Sequence, residues 1–367
     1  MKVLQLSPSE KMLLALLRSA IHQQEAETVD FQQATEQDWV ECYMLALRQG
    51  VLSLAWDGAQ RLPAQYHPPL NVKLSFALRE KDQTARYRAH CLAASKITHH
   101  LAQHGIATII LKGVGLSRLY PTPSYREGGD IDIYTYSADT TQMTDEEANR
   151  LADEILLKQG ALTDDSQYEK HSKLGLHGVT IENHRMFLHI SGCQTLAKAE
   201  QWLQAHLATQ PVELLDGECH IAVPSIAFDS VFIPLHAAQH YGSGLSLKHL
   251  CDWVLLLKQN GHTLPSELDD KYFQLTVTTL THLCNQYLGL SIPVEADCRF
   301  ANDMMQEILR PRYHGHTPSG GKVKQYMFRI QHLIYIFRLT RRLLGVSFWG
   351  KIRGLSLRKI KEHIASS

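Results

Sequence analysis

No two of the seven cysteines (Cys42, Cys91, Cys193, Cys219, Cys251, Cys284, Cys298) stand at C-x-x-C spacing, and their number is odd. That excludes a disulfide framework and a zinc knuckle, and it leaves thiols expected in a reducing, cytoplasmic compartment. Long hydrophobic runs are also missing. The first apolar stretch, Met12–Leu17, is short and set among Lys2, Glu10, Lys11 and Arg18, so neither a membrane span nor a secretory leader is expected. No G-x-G-x-x-G joins a strand to a helix, which argues against a dinucleotide-binding fold, and no internal repeat is visible. Acid is absent from one long stretch: Ile308 to Lys361 holds thirteen Lys or Arg and no Asp or Glu. Because the whole chain balances 37 basic against 37 acidic residues, the remainder is acidic. What is present is ordinary for a globular protein, with 44% hydrophobic and 20% charged residues. A length of 367 residues suffices for two domains or for one core with helical additions.

Apolar periodicity predicts helices over 9–24 and 35–61, then a long helix from Val72 to His104 that ends at Gly105. Ile106–Leu111 and Ile131–Tyr136 read as core strands, with a short helix at Leu116–Tyr120 between them. Thr144 and Glu147 have capping-box spacing and open a helix that runs to about Gly160. Strands over about 167–173 and 178–184 flank a turn at Gly175–Gly178, and Pro211–Pro224 reads as a hairpin. Residues 185–209 are expected to be partly helical. From Ala227 onward the pattern is helical, broken at 261–265, 289–293 and 314–321, where His314–Gly321 reads as a loop or linker.

Chemistry concentrates around Asp130-Ile-Asp132-Ile-Tyr. Alternation along a strand projects Asp130 and Asp132 to the same side, between apolar neighbours that mark a core strand. Two adjacent carboxylates repel, and burial worsens the repulsion. A divalent cation removes that cost, and Mg²⁺ takes one or two carboxylates together with substrate phosphates. Upstream, a turn containing Gly113 and Gly115 follows the strand and opens a helix, a place where backbone N–H groups can cradle phosphate. Glu182, flanked by apolar residues in Val179-Thr-Ile-Glu-Asn-His184, is the favoured third carboxylate of a two-metal site, with Glu169 as its competitor.

The residues Leu111-Lys112-Gly113, Leu119-Tyr120-Pro121, Arg126 and Gly129-Asp130-Ile131-Asp132-Ile133 together resemble a bacterial nucleotidyltransferase family with an L-K-G-x-x-L…Y…R-x-x-x-D-I-D-L signature. That family lies within the DNA polymerase β-like nucleotidyltransferase superfamily. The resemblance spans roughly residues 35 to 260, and it departs from the superfamily's usual Gly-Ser turn, which is Lys112-Gly113 here. It implies an α+β fold: a small mixed-sheet core flanked by N-terminal and C-terminal helical regions. The corresponding segments are a helical region 1–104, a catalytic core 105–225, a helical domain 226–313 closing the active site, and a basic helical tail 314–367. It also implies an E-x-H equivalent at Glu182 and His184. Asp130, Asp132 and Glu182 would be the catalytic acids and metal ligands for two Mg²⁺ ions. Lys112, Gly113, Arg126, Lys248 and Asp252 would contact a nucleoside triphosphate, expected to be ATP. Transfer of the nucleotide to a hydroxyl, first expected on a small molecule and second on RNA or protein, would release pyrophosphate.

Two other readings stand beside this one. A non-catalytic module would keep the fold and only bind nucleotide or a partner. A metal hydrolase would use His236 and His240, spaced i, i+4 on one helical face, with Asp252; the glutamate of H-E-x-x-H is absent, since Ala237 stands there. The tail segment Val323–Leu344 places Ile330, Leu333, Ile334, Phe337 and Leu344 on one face and Arg338, Arg341 and Arg342 mainly elsewhere. Such a helix suits an anionic membrane surface or RNA, or docks on the protein's own acidic body. Docking is favoured because Tyr335 and Ile336 widen the apolar surface beyond one stripe.

Overall fold

Helix-period and strand-period apolar residues sort into two hydrophobic cores, one helical and one under a sheet. The computed structural model describes residues 4–163, 171–176, 178–190, 192–312 and 322–346. Three helices come first: α1 (Pro8–His22), α2 (Glu36–Gln49) and α3 (Leu52–Gln60). Ser7 with Glu10, and Thr35 with Asp38, form capping boxes that satisfy the open N–H groups of α1 and α2. The stretch 35–61 expected to be helical is two helices. Gly50, at φ +64°, ends α2 in the left-handed region, and the chain restarts at Leu52. The long helix α4 (Leu70–Ala102) then leads into β1 (Ile106–Ile110).

The sheet segment follows: α5 (Val114–Ser117), β2 (Asp130–Ser137), α6 (Asp145–Lys158), β3 (Leu162–Thr163), β4 (His171–Leu176) and β5 (Val179–His184). Thr144 caps α6 with Glu147, as its spacing foretold. The sheet runs β1-β2-β5-β4-β3, with β2 parallel to β5 and every other neighbour antiparallel. A turn was expected from Gly175, but β4 continues through Gly175 to Leu176 because both residues stay paired to β5. After α7 (Gln194–Ala205), the hairpin β6 (Thr209–Leu214) and β7 (Cys219–Pro224) forms a separate sheet packed against α4 and β1. The architecture is α+β.

Helices α8 (Ile226–Gln239), α9 (Leu247–Gln259), α10 (Lys271–Leu288), α11 (Cys298–Leu309) and α12 (Lys322–Leu344) complete the chain. Residues from the segments 1–104 and 226–313 pack into one core. Met12, Leu16 and Trp39 share one core with Trp253, Leu283 and Phe300. Gln49 donates to the Ile308 carbonyl at 2.7 Å, and Arg310 pairs with Glu10 across the same seam.

The C-terminal half of α12 docks internally. Leu343 and Leu344 are buried, Thr276 donates to the Leu343 carbonyl, and Arg342 reaches Asp297 and Asp303 and lies over the Phe300 ring. Ile334, expected on the docked face, is 48% exposed, and Tyr326 and Met327 are exposed as well. The reason is the face presented: Tyr335 donates to Glu307 and Ile336 packs beside Gly242, which turns Ile334 to the outer side of α12. His314–Gly321, Glu169 and the basic residues between Lys351 and Lys361 lie outside the described residues.

One close approach sets the spacing of α1 and α3. A Cβ added at Gly58 would stand 2.1 Å from the Leu16 carbonyl oxygen, a backbone atom that cannot step aside. Gly58→Ala is therefore expected to destabilise the fold by about 2 kcal/mol or more through overpacking. Chemical denaturation of the variant checks this, and an unchanged midpoint would show that the two helices can separate freely.

Candidate active site

The parallel register of β2 and β5 brings the expected carboxylates together. Asp132 is the register partner of Glu182, and Asp130 that of Thr180. Partners in register share a face, so Asp130, Asp132, Glu182 and His184 all project toward the helical body. The opposite face carries Ile131, Ile133 and Ile181 into the second core. A buried polar network pins this register from that apolar side. Thr135 Oγ1 donates to Asn183 Oδ1 at 2.9 Å, Asn149 Nδ2 reaches Asn183 Oδ1 and the His184 carbonyl, and Asn183 Nδ2 reaches Asp153.

Asp132 is buried and its charge is matched. Lys112 Nζ stands 2.7 Å from Asp132 Oδ1, and His184 Nε2 is 3.0 Å from the same oxygen. Burial alone would raise this carboxyl; Lys112 and His184 outweigh it and hold the group far below the usual carboxylate range. Glu182 goes the other way. Its burial, reinforced by the neighbouring Asp132, pushes its carboxyl up, against a smaller opposing pull from Lys112. His171 Nε2 lies 3.6 Å and Lys173 Nζ 3.8 Å from Glu182 Oε1, both projecting from β4. Sequence reasoning missed His171 and Lys173, although counting pairs outward from Leu176 and Val179 across the hairpin sets both opposite the E-x-H segment.

Arg126 and Asp252, expected to contact nucleotide separately, are engaged with each other. Arg126 Nε and Nη2 donate to the two Asp252 oxygens, each at 2.9 Å, and Tyr120 Oη donates to Oδ1 at 2.8 Å. The third donor, Nη1, reaches the Gly113 carbonyl at 3.1 Å. This fork ties the turn before β2 to α9, and burial of both partners leaves it a brace. Gly113 has φ +57°, and a Cβ there would lie 3.0 Å from the Asp130 carbonyl oxygen. The turn is thus tight against the start of β2. Gly115 donates its N–H to the Lys112 carbonyl, so that group closes the turn instead of facing outward.

Lys248, on the first turn of α9, is half-buried and makes no ion pair among the described residues. Burial, together with Arg126, lowers its pKa. Beside it His236, His240 and His249 bring ligand atoms within 4.8 Å of one another. His236 Nε2 is 3.1 Å from Lys112 Nζ, which links the trio to Asp132. Asp252 does not join it, because Arg126 and Tyr120 hold it elsewhere; the third member is His249. His249 Nδ1 accepts the Ser246 N–H at 3.1 Å as part of the α9 cap, and its pKa is driven well down by burial and by Lys248.

The family described as uncharacterised nucleotidyltransferase matches residues 35–289, more than half of the chain. The chain belongs to that family. Among curated proteins, none matches. A solved structure of an antigenic nucleotidyltransferase-like protein from Paracoccidioides brasiliensis is similar at 15% identity and a TM-score of 0.36, covering 57% of this chain and 94% of that one. The family match takes in every site residue named above, from Lys112 to Asp252. Among the described residues, no helix of this nucleotidyltransferase is long and apolar enough to cross a membrane.

The opposite shifts of the two acids predict opposite responses to neutralisation. A depressed carboxyl such as Asp132 contributes stability above its unfolded pKa and loses it as pH falls. A raised carboxyl such as Glu182 favours the fold below its unfolded pKa, and that contribution is lost as pH rises through the raised value. Asp132→Asn should destabilise the nucleotidyltransferase by about 3 kcal/mol at neutral pH, since it strands Lys112 and His184 beside a neutral amide. Glu182→Gln should melt no lower than wild type at pH 7, with any gain shrinking toward pH 4. Melting curves of both variants across that range are the check; equal losses at pH 7 would contradict the charge balance described.

Proposed function

We propose that the protein transfers a nucleoside monophosphate from a triphosphate, expected to be ATP, to a hydroxyl acceptor and releases pyrophosphate. The observation that carries this reading is the side-by-side register of Asp132 and Glu182, with Asp130 two residues upstream on the same face. Three convergent carboxylates fit divalent cations by the chemistry of their donors. Two Mg²⁺ ions are the expected occupants; Asp130 and Asp132 would hold both, and Glu182 only the one on the side of the attacking hydroxyl. When bound, such ions neutralise phosphate charge and lower the pKa of the attacking hydroxyl.

The chain's own residues supply the rest. Lys112, which neutralises Asp132 in the arrangement described, is within reach of a phosphate oxygen that would replace that carboxylate as its partner. Lys248 supplies a second ammonium, less tied down than the Arg126 guanidinium, which the Asp252 fork holds. Arg126, Asp252 and Tyr120 fix the Gly113 turn, so the α-phosphate would meet a preorganised surface, the main source of catalysis in phosphoryl transfer. A small hydroxylated molecule is the proposed acceptor. Seven free thiols, six of them buried, support a reducing, cytoplasmic setting.

Asp130→Asn separates catalysis from folding, because Asp130 is less buried than Asp132. Wild type with ATP and Mg²⁺ should melt at a higher temperature than without them, and the variant should lose most of that shift. With ATP radiolabelled at the α-phosphate and a small-molecule extract as acceptor, wild type should form labelled product and the variant at least about 100-fold less, the loss of ~2.7 kcal/mol of transition-state stabilisation. Undiminished label transfer by Asp130→Asn would end the assignment.

A further inference from the structure

The carboxylates are not the sole metal-binding groups on the β2–β5 face. His171 and His184, register partners on β4 and β5, flank Glu182 with their rings 5.1 Å apart between centroids. Two imidazoles bound about 2.1 Å from one ion, at ligand angles from octahedral to tetrahedral, stand roughly 4.6–5.3 Å apart by the same measure. The Nε2 atoms are the ones turned inward: that of His184 lies 3.0 Å from Asp132 Oδ1 and 3.8 Å from Glu182 Oε2, and that of His171 lies 3.6 Å from Glu182 Oε1. His171, Glu182 and His184 can each offer a ligand atom within 4.8 Å of the others.

We propose that the ion on the Glu182 side is bound by imidazole as well as carboxylate, with Asp132, Glu182, His171 and His184 as its protein ligands, and that it is Mn²⁺. This rests on the nucleotidyltransferase reading and refines which metal it uses. Mg²⁺ takes oxygen ligands almost exclusively, whereas imidazole suits first-row transition ions. Among first-row ions Mn²⁺ is the one that also suits carboxylate and water oxygens, so it tolerates the phosphate and hydroxyl oxygens that the reaction brings. The Asp130 side has no imidazole at bonding distance among the described contacts, so its ion keeps the oxygen-only character of Mg²⁺. Lys112 and Lys173 hold the two carboxylates in the arrangement described, on long stems that leave them able to withdraw when a cation arrives.

The second histidine cluster does not compete for this role. His236 lies 3.1 Å from the Lys112 ammonium, Lys248 adds another positive charge nearby, and His249 spends a ring nitrogen on the Ser246 N–H. That surroundings favours an anion over a metal ion.

The test uses the full-length protein and manganese(II) chloride, read by pulsed electron paramagnetic resonance, in which a coordinated imidazole gives a nitrogen modulation. Wild type should show that modulation and retain bound Mn²⁺ in tenfold excess Mg²⁺. His171→Gln, at a partly exposed position expected to tolerate change, should weaken the modulation and lower Mn²⁺ affinity at least about 10-fold while sparing Mg²⁺. His184→Gln should remove the remainder; should it misfold, His171→Gln carries the result alone. Mn²⁺ bound with no nitrogen modulation would overturn the imidazole ligands and leave the nucleotidyltransferase reading intact. Modulation unchanged in His171→Gln but lost in His236→Gln would move the ligands to the other cluster and equally overturn the proposal. Failure to bind Mn²⁺ even with ATP present would overturn the proposal, and absence of the melting shift with ATP and Mg²⁺ as well would overturn the nucleotidyltransferase reading.

Discussion

A buried carboxylate needs compensating charge, and Asp132 sets that requirement for everything around it. Lys112 meets it from the turn after β1, and His184 meets it from the neighbouring strand. Neither would arrive without its own support. Lys112 depends on the tight turn at Gly113, whose geometry a side chain would spoil. His184 depends on the β5 register, which the amide and hydroxyl groups of Asn149, Asn183 and Thr135 fix from the other face of the sheet. Shifting β5 by one residue would turn Glu182 into the apolar layer and Asn183 into the site. The polar network is therefore a specification of register as much as a source of stability.

The Arg126–Asp252 fork plays the matching part between layers. Buried ion pairs contribute little net stability, because desolvating both charges offsets their attraction. What this one supplies is location: it fastens α9 to the loop preceding β2, with Tyr120 as a third contact. The helical body thus stands over the acids at a fixed distance. It carries Lys248 and the three histidines of α8 and α9 to that surface, so acids line one wall and basic groups the other.

Local pattern made much of this legible in the sequence. Alternation marked Asp130 and Asp132 as neighbours on a core strand, apolar flanks singled out Glu182, and capping chemistry located α6 to within a residue or so. Pairings across long separations left no local trace. Nothing near Arg126 indicates that its partner stands 126 residues away, and a lone basic residue beside a metal motif reads naturally as a phosphate ligand. His249 was hidden for a different reason, since its position on the first turn of α9 reads as a cap residue until α8 is packed beside it. The one-face reading of α12 failed at Ile334 because apolar residues surround this helix, and periodicity cannot say which side the body takes; Tyr335 and Ile336 face it, while Ile334 is exposed. The same limit concealed the shared core of the two helical regions, whose residues are far apart in the chain.

That shared core has a consequence for how the protein is made. Glu10 and Arg310, which clasp its two ends, are 300 residues apart. At a synthesis rate of about 5–20 residues per second, α1 has only α2 and α3 beside it for most of the roughly 15–60 s before Arg310 is made. For that interval Leu13, Leu16 and Leu17 have no completed core to enter, while the sheet, whose strands lie between Ile106 and His184, can already close. The order of assembly would then run from the middle of the chain outward, and the nascent N-terminal helices would be the segment most in need of a chaperone.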